Sequence, residues 1–533
     1  MRKKHRKVLQ IATVMFLVLC TGCQSNQEKI FSESTETPLQ PSSKETSETA
    51  IPEVNYDSPN YIGPDKSELQ DLAPIENDTL SGELLIKKNA RYDNIELLAQ
   101  EFMQLHPDVK ISFEEAVGFN EVLGLSREEI RMKRENFFAK VRMELASGEA
   151  DYLLFGMRDC LDPVQLSRSG LLIDLQPYFD NDPEIDHEEY FSQILSAYSV
   201  DGKLPTIPMS VMYNAVYLNQ PLLEKNGIDL SDTITVTPQD LLDWYEATRT
   251  SVDDLNLFFT SPGKDTLFAT ERLAYMDLKQ KTARFDLPEF VEFLEKTADT
   301  ENSDPELSSD EGLMDSELFN EQMRFQETGK LEERYFGPIG SYGYEKYGRI
   351  SQKSRPALAT WGAVDKYALL YLDQPMEYAA GPYPLLSSDG KLGLSSIEDF
   401  AISSSCKNPN LAWEFIKYCI SPREKDRMDF AHFGSPTDYT VHLPLSKMNL
   451  YYYLQDLAEN GTTGLGMGYQ FEPFNIDDVI DRVNEIFSLP LVNLNSYDVD
   501  VQEYLDEFYV NELITAEQCA EKIQGRAEIW LNE

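Results

Sequence analysis

An alternation of short apolar runs with helix-like patterns begins near residue 82 and constrains the fold more than any other feature of the sequence. Residues 84–86 form an apolar run that predicts a buried strand. Between Ile95 and Phe102, apolar residues recur at the spacing of one helix face, which predicts an amphipathic helix. Residues 109–113 alternate apolar with polar residues and predict a second strand. This order predicts an α/β fold on an open parallel sheet, with ligands at the carboxyl ends of its strands.

The same alternation continues beyond the second strand. A long helix is predicted over residues 127–147, and Gly148 ends it before a strand over residues 152–155. Three helical patterns close the chain, and the last of them follows a capping box formed by Thr515 and Gln518. The elements therefore extend to the C-terminus without a long interruption there.

Charge balance and cysteine content exclude several functional classes. The 533 residues carry 47 Lys and Arg against 92 Asp and Glu, a net charge of -45, which repels phosphate backbones and excludes nucleic-acid binding. Six cysteines are too few for a disulfide-rich scaffold. The sequence leaves open whether the four cysteines beyond the N-terminal region are buried thiols or form disulfides: Cys160, Cys406, Cys419 and Cys519.

The N-terminus has the pattern of a secretory signal. Residues 2–7 include five Lys or Arg, and a mostly apolar run follows over residues 8–20, too short to span a bilayer. Thr21 and Gly22 precede Cys23, which resembles the bacterial lipoprotein signal, although that signal usually has Leu where Cys20 stands. The resemblance implies that residues 1–22 are cleaved and that Cys23 carries the lipid anchor. Two acyl chains on one cysteine are enough for stable membrane anchoring.

The segment after Cys23 has the composition of a linker. From residue 24 to about residue 65 it is rich in Ser, Thr, Glu and Pro and has almost no apolar periodicity. Such a composition cannot bury enough surface to fold. We therefore expect residues 23–81 to comprise the lipidated cysteine and a disordered linker.

Several separated blocks, taken in order, carry a family resemblance. They are LAQEFMQLHPDVKI (98–111), ASGEAD (146–151), SGLLIDL (169–175), DGKLPTIP (201–208), ALATWG (357–362), GPYP (381–384) and SCKNPNLAWEFI (405–416). Each block alone is weakly specific, but their order and spacing together resemble the extracellular solute-binding proteins of ABC importers. The resemblance is to the carbohydrate-binding, maltose-binding-protein-like family, with a C-terminus like those of lipoproteins from Gram-positive bacteria.

The resemblance implies a fold and a function. The fold is α/β and two-lobed, of the type II periplasmic-binding-protein-like kind, with the ligand cleft between lobes joined by hinge strands. Lobe 1 would comprise residues 82–207 with 396–440, and lobe 2 residues 208–395 with 441–533. The implied protein is a monomer without cofactor or metal, lipid-anchored on the extracellular face of the cell membrane. It captures a sugar or oligosaccharide and delivers it to the membrane permease of an ABC transporter.

A sugar cleft needs aromatic rings for the C–H face of the ligand. Trp361 ends an apolar strand-like run and precedes Gly362, which would let the chain turn at the cleft edge, and the family places an aromatic platform here. Phe155, at the end of its strand, matches a second platform. The alternative for both rings is core packing, which is also the expectation for Trp413 and Trp530 on their helix faces.

Polar ligand contacts are expected beside these rings. Arg158 and Asp159 follow Phe155 and match family contacts, while Tyr213 and Asn214 lie just past the crossing between lobes and could equally brace the hinge. At the cleft edge of lobe 1, the predicted contacts are Glu115, at the end of the second strand, and Asn89, after the first.

Other activities remain as alternatives. The sequence contains no HExxH and no GxSxG motif, which disfavours a zinc protease and a serine hydrolase. Carboxylate pairs suited to a glycosidase would occur by chance among 92 acidic residues. A sensory lipoprotein and a binding protein for a non-sugar solute share the same sequence features. The ligand, its length, its affinity and the transporter stay open.

Overall fold

A computed structural model describes residues 80–89, 94–118, 125–157, 161–252, 255–258, 263–300, 357–364, 369, 380–422, 442–460 and 474–532. The predictions for residues 1–22, for Cys23 and the linker, and for Arg158, Asp159 and Cys160 lie outside these residues. Within the described ranges, no helix has both the length and the apolar character needed to cross a membrane.

Short strands alternate with helices along the chain. The strands are β1 (Gly82–Lys88), β2 (Val109–Glu115), β3 (Leu153–Phe155), β4 (Ile207–Pro208), β5 (Ser210–Leu218), β6 (Asn256–Phe258), β7 (Met276–Asp277), β8 (Thr282–Ala283), β9 (Ala357–Val364), β10 (Ala380–Pro384), β11 (Leu392–Ser395), β12 (Asp399–Ile402), β13 (Leu443–Pro444) and β14 (Leu491–Asn493). The helices are α1 (Asn94–Leu105), α2 (Arg127–Ser147), α3 (Pro163–Arg168), α4 (Gln176–Asn181), α5 (Ser192–Tyr198), α6 (Gln220–Lys225), α7 (Pro238–Arg249), α8 (Gly263–Glu271), α9 (Pro288–Ala298), α10 (Pro409–Ile420), α11 (Lys447–Asn460), α12 (Ile476–Phe487), α13 (Gln502–Tyr509) and α14 (Ala516–Asn532).

The first sheet has the strand order β2-β1-β3-β12-β4. β1 pairs in parallel with β2 and β3, and helices α1 and α2 make the crossovers between them, as the sequence predicts. The sheet is not wholly parallel, because β12 runs antiparallel to both β3 and β4. β12 enters this sheet from the second sheet, so the chain arrives in the opposite direction.

Capping interactions at both ends determine where helix α2, the crossover between β2 and β3, begins and ends. Its N-terminus is a capping box in which the Ser126 side chain accepts from the Glu129 N–H and Glu129 bonds back to Ser126. At its C-terminus, Gly148 adopts φ 72°, a left-handed conformation that glycine adopts without steric cost. The helix predicted from the sequence is confirmed with its stop at Gly148.

The second sheet has the order β14-β11-β5-β9-β6, with β10 and β13 also paired to β5. β5 is the central strand, and its residues are buried or half-buried throughout because it has neighbours on both edges. β9 is antiparallel to β5 and parallel to β6, while β11 is parallel to β14.

Two crossings and a third strand connect the sheets. The chain passes from β4 to β5 through Met209 and returns from β11 to β12 through residues 396–398. The Met209 N–H donates to the Glu398 carbonyl at 2.7 Å, and the buried Ser210 hydroxyl donates to the Glu398 carboxylate. β13 adds a third segment beside β5. All strands of the first sheet fall within 82–208 and 399–402, and the full lobe boundaries stay a prediction.

The described residues form three apolar clusters around the sheets, of which the smallest includes Phe138 and Val141 of α2 and Leu154 of β3. The first core includes Ile86, Phe102, Phe400 and Trp413, and the second core includes Val216 and Trp530 among others. Trp413 is fully buried and Trp530 is 4% exposed, so the prediction that both pack in the core is confirmed. The Trp413 indole N–H donates to Asp182 at 2.8 Å, which satisfies its buried donor.

Candidate ligand cleft

Asn89, Glu115 and Phe155 lie together at the carboxyl edge of the first sheet. The parallel register pairs Lys88 with both Glu115 and Phe155, and Asn89 follows directly. The Asn89 N–H donates to the Phe155 carbonyl at 3.4 Å. Strand ends predicted from three separate sequence positions thus form one edge, where ligands of open α/β sheets bind.

Two basic side chains hold this edge in place. Lys88 is almost fully buried, and its ammonium lies 2.6 Å from Glu96 and 3.4 Å from Glu115. Arg134 on α2 donates to the Asn89 side-chain oxygen at 2.9 Å. Arg134 on α2 therefore orients Asn89 and Lys88 on β1 orients Glu115, which limits the entropy that a ligand contact would cost.

The next carboxylate along, Glu114, is also paired. Lys87 lies 3.1 Å from Glu114, and Lys140 donates to Glu114 at 2.7 Å. Burial raises the pKa of Glu114, but hydrogen bonds from Lys140 and Lys87 lower it, and the net pKa lies below its ordinary value. Glu114 therefore keeps its negative charge and belongs to the ion pairs under the edge.

Phe155 is a core residue in this structure. Its side chain is 2% exposed, and its ring centroid lies 4.8 Å from that of Phe400 on the paired strand β12. It contributes to the first core rather than presenting a ring face to solvent. This placement matches the packing alternative that the sequence left open.

Tyr213 and Asn214 lie near the middle of β5, the central strand of the second sheet. They pair with Val364 and Ala363 on β9. Tyr213 is 1% exposed, burial raises the pKa of its hydroxyl, and that hydroxyl has no hydrogen-bond partner among the described residues. Asn214 is half-buried. Tyr213 thus packs in the first core, and Asn214 is the more accessible of the two residues.

Trp361 lies in the interior of β9, not at a strand end as the sequence suggests. β9 continues to Val364, and Trp361 and Gly362 pair with Val216 and Ala215 on β5. The expectation of a turn at Gly362 is wrong because the partner strand β5 extends the ladder past it. Trp361 is half-buried against the second core. Its indole N–H is buried without a hydrogen-bond partner among the described residues, which is costly unless a ligand or water accepts it.

A small pocket marks where the two sheets meet. It has a volume of about 30 Å³, enough for a water molecule but not for a sugar ring. Leu154 and Met157 line it from the end of β3, Thr206 from the position before β4, and Asp399 from the start of β12. Asn495, which follows the carboxyl end of β14, lines it from the second sheet. Sequence reasoning missed Thr206, Asp399 and Asn495.

The described residues contain no group of His, Cys, Asp and Glu arranged to hold a metal ion. Cys406, Cys419 and Cys519 form no disulfide within the part of the chain that the structure describes.

A family match covers the first half of the folded region. Residues 89–301, about two fifths of the chain, match the family model described as bacterial extracellular solute-binding protein. The resemblance to extracellular solute-binding proteins is thereby confirmed, while the likeness to lipoproteins from Gram-positive bacteria stays a prediction. The predicted α/β fold class is confirmed as well. The chain forms two β-sheets joined by crossing strands, as in the type II periplasmic-binding-protein-like fold.

Several solved structures are similar to this chain at low identity. An ABC substrate-binding protein from Listeria monocytogenes, solved in complex with cycloalternan, has 14% identity and a TM-score of 0.46 over 85% of this chain and 98% of that one. An extracellular solute-binding protein family 1 member from Alicyclobacillus acidocaldarius has 15% identity and a TM-score of 0.47 over 86% and 100%. The GacH receptor of Streptomyces glaucescens has 14% identity and a TM-score of 0.46 over 85% and 99%. No curated protein matches the chain.

Proposed function

We propose that this protein is a lipid-anchored extracellular solute-binding protein that captures a sugar or oligosaccharide and delivers it to the permease of an ABC transporter. The observation that carries the proposal is the set of strand ends at the carboxyl edge of the first sheet, with Asn89 and Glu115, in a body whose two sheets are joined by crossing strands. The family match to extracellular solute-binding proteins supports the binding role. The protein forms and breaks no bond of its ligand.

Sugar binding is supported by the kinds of side chain at the cleft. A sugar offers hydroxyls for hydrogen bonds and a C–H face for an aromatic ring. Trp361 supplies a half-buried ring with an indole N–H that has no hydrogen-bond partner among the residues that the structure describes. Asn89, Glu115 and Asn214 supply amide and carboxylate groups on both sheets. The proposed ligand set comprises these four residues together with Gly362, Tyr213, Arg158 and Asp159. Phe155 supports this set from the core.

Capture follows from closure of the two lobes about the crossing strands. A ligand that contacts both lobes favours the closed state by its differential affinity for the two states. The lobes are proposed as residues 82–207 with 396–440 and residues 208–395 with 441–533. The permease then recognises the closed, loaded protein.

The anchor and the location rest on the N-terminal sequence. Basic residues, a short apolar run and a cysteine preceded by Thr21 and Gly22 support cleavage before Cys23 and its lipidation. A monomer held on the outer face of the cell membrane by two acyl chains could move laterally to its permease.

A thermal-shift screen of the full chain tests the ligand class. Mono- and oligosaccharides, amino acids and short peptides are added in parallel, each over a wide concentration range. A bound ligand at 100 times its dissociation constant adds about 2.7 kcal/mol of stability, so a true ligand raises the melting temperature clearly. Stabilisation by a saccharide is the expected result. Stabilisation by another class alone would replace the sugar by that class.

A further inference from the structure

Helix α3 is attached to the first sheet at both ends. It follows β3, and the segment after it returns to β12, where the Ile173 N–H donates to the Ile402 carbonyl at 2.8 Å and the Ser404 N–H donates to the Leu171 carbonyl at 2.9 Å. The helix is therefore carried by the first sheet and moves with it.

Side chains of α3 nevertheless bond to the second sheet's helix α14. Gln165 donates to the Trp530 carbonyl at 2.6 Å, and Arg168 donates to the Leu531 carbonyl at 3.0 Å. The Trp530 indole donates to Asp162, the N-cap of α3, at 2.6 Å. We call these bonds between Asp162, Gln165 and Arg168 and the end of α14 the α3–α14 contact.

The contact is buried and is more than a surface pairing. Arg168 has 8% of its side chain exposed and also donates to the Leu278 carbonyl at 3.1 Å, in the hairpin of β7 and β8. Val164 of α3 is fully buried within the second core, beside Trp530 and Leu531. One helix of the first sheet thus fills part of the apolar core of the second.

We propose that Asp162, Gln165 and Arg168 are positioning residues that hold the two lobes closed through the α3–α14 contact. This inference rests on the proposed function, which requires an opening and closing cleft. The bonds join α3, which lines the pocket through Pro163 and Leu166, to α14 of the second sheet. Separating the sheets would remove the Arg168 acceptors at Leu531 and Leu278 and the indole donor at Asp162, while Arg168 keeps its ion pair with Asp201 at 3.0 Å and Asp162 keeps the N–H groups of Val164 and Gln165. Because these bonds exist only while the sheets are together, the contact favours closure before any ligand binds.

Single-molecule energy transfer on the full chain tests the proposal without ligand. Dyes are attached through azide-bearing amino acids at positions 143 and 234, where Met143 is 67% and Ile234 is 63% exposed, one near each sheet. Arg168→Met removes the guanidinium and keeps much of the apolar stem. The matched control is Arg131→Met, which has the same change of charge on α2, where Arg131 pairs with Glu135 of its own helix at 2.6 Å.

Arg168→Met should lengthen the dye-to-dye distance and lower the closed-to-open ratio about tenfold, as expected for the loss of a hydrogen bond to a charged group. Arg131→Met should leave the distance unchanged. Trp530→Phe, which removes only the indole N–H bond to Asp162, should shift the ratio in the same direction and decides the question if Arg168→Met does not fold. A lower melting temperature with an unchanged distance distribution in the folded variants would overturn the proposal. The energy-transfer experiment uses no ligand, so a failed sugar screen would not change its outcome. An unchanged dye-to-dye distance would likewise leave the sugar screen valid.

Discussion

Trp361 offers the sharpest test of ligand binding, because its ring and its indole N–H can be removed separately. Trp361→Phe deletes a donor that has no partner among the described residues, so no hydrogen bond to them is lost and folding stability should change little. If the N–H donates to a ligand hydroxyl, affinity should fall by about 0.5 to 1.5 kcal/mol, or roughly 2- to 13-fold.

Trp361→Ala removes the ring itself. Loss of a stacking platform should cost on the order of 1 to 3 kcal/mol of binding, roughly 5- to 150-fold in affinity. Because Trp361 is only half-buried, the loss of folding stability should lie below the about 3 to 5 kcal/mol typical of a fully buried Trp.

Trp244→Ala is the matched control, since Trp244 is also half-buried against the second core but lies on α7. Calorimetric titration with the saccharide of largest thermal shift and urea unfolding are done on all variants. We expect both alanine variants to lose stability and only Trp361→Ala to lose affinity. Normal affinity in Trp361→Ala, with a stability loss equal to that of Trp244→Ala, would make Trp361 a packing residue.

Three further predictions concern the anchor, the linker and the pH dependence of stability. Cys23→Ser should move the protein from the membrane fraction to the soluble fraction, because both acyl chains depend on that thiol, and wild-type retention would contradict the lipoprotein signal. Deletion of residues 24–65 should leave the melting temperature almost unchanged, given their composition, and a large decrease would mean that the segment packs on the body. Burial raises the pKa of Glu271 to about 7 from an ordinary 4.5, so the native state binds this proton more tightly than the unfolded chain does. The stabilisation that this proton provides, about 3 kcal/mol, is present below pH 4.5 and is lost as the pH rises through 7. Urea unfolding between pH 4.5 and 8 should show this loss in the wild type and a flatter profile in Glu271→Gln, and identical profiles would refute it.

Local signals account for the parts of the fold that the sequence predicts well. The helix α2 starts at a capping box and stops at Gly148, and the capping box of Thr515 and Gln518 is present at α14. The first strands alternate or run apolar according to their burial. Each of these features depends on residues within a few positions of one another, so one stretch of sequence contains the whole signal.

Features that depend on distant partners could not be predicted in this way. β9 passes through Trp361 and Gly362 because β5, more than a hundred residues earlier, supplies the opposing ladder. Phe155 is covered by Phe400, whose strand returns from the second sheet. Asn495 reaches the pocket only because β14 ends there. The sequence therefore identified the strand ends of the first sheet but not the residues that the second sheet adds to them.

The two kinds of contact between the sheets differ in how they can break, and this difference locates the motion that capture requires. At the crossings, the strands are covalently continuous, and Met209 bonds through its backbone to Glu398. These strands can bend, but they cannot separate. The α3–α14 contact is not covalent: it consists of side-chain hydrogen bonds, each worth about 0.5 to 3 kcal/mol, and of the burial of Val164 in the second core. Rotation about the crossings therefore breaks the α3–α14 contact first and opens the edge where Asn495 faces Met157. A ligand that touches both sheets adds its binding energy to the same equilibrium, so its affinity depends on Arg168 even where Arg168 never touches it.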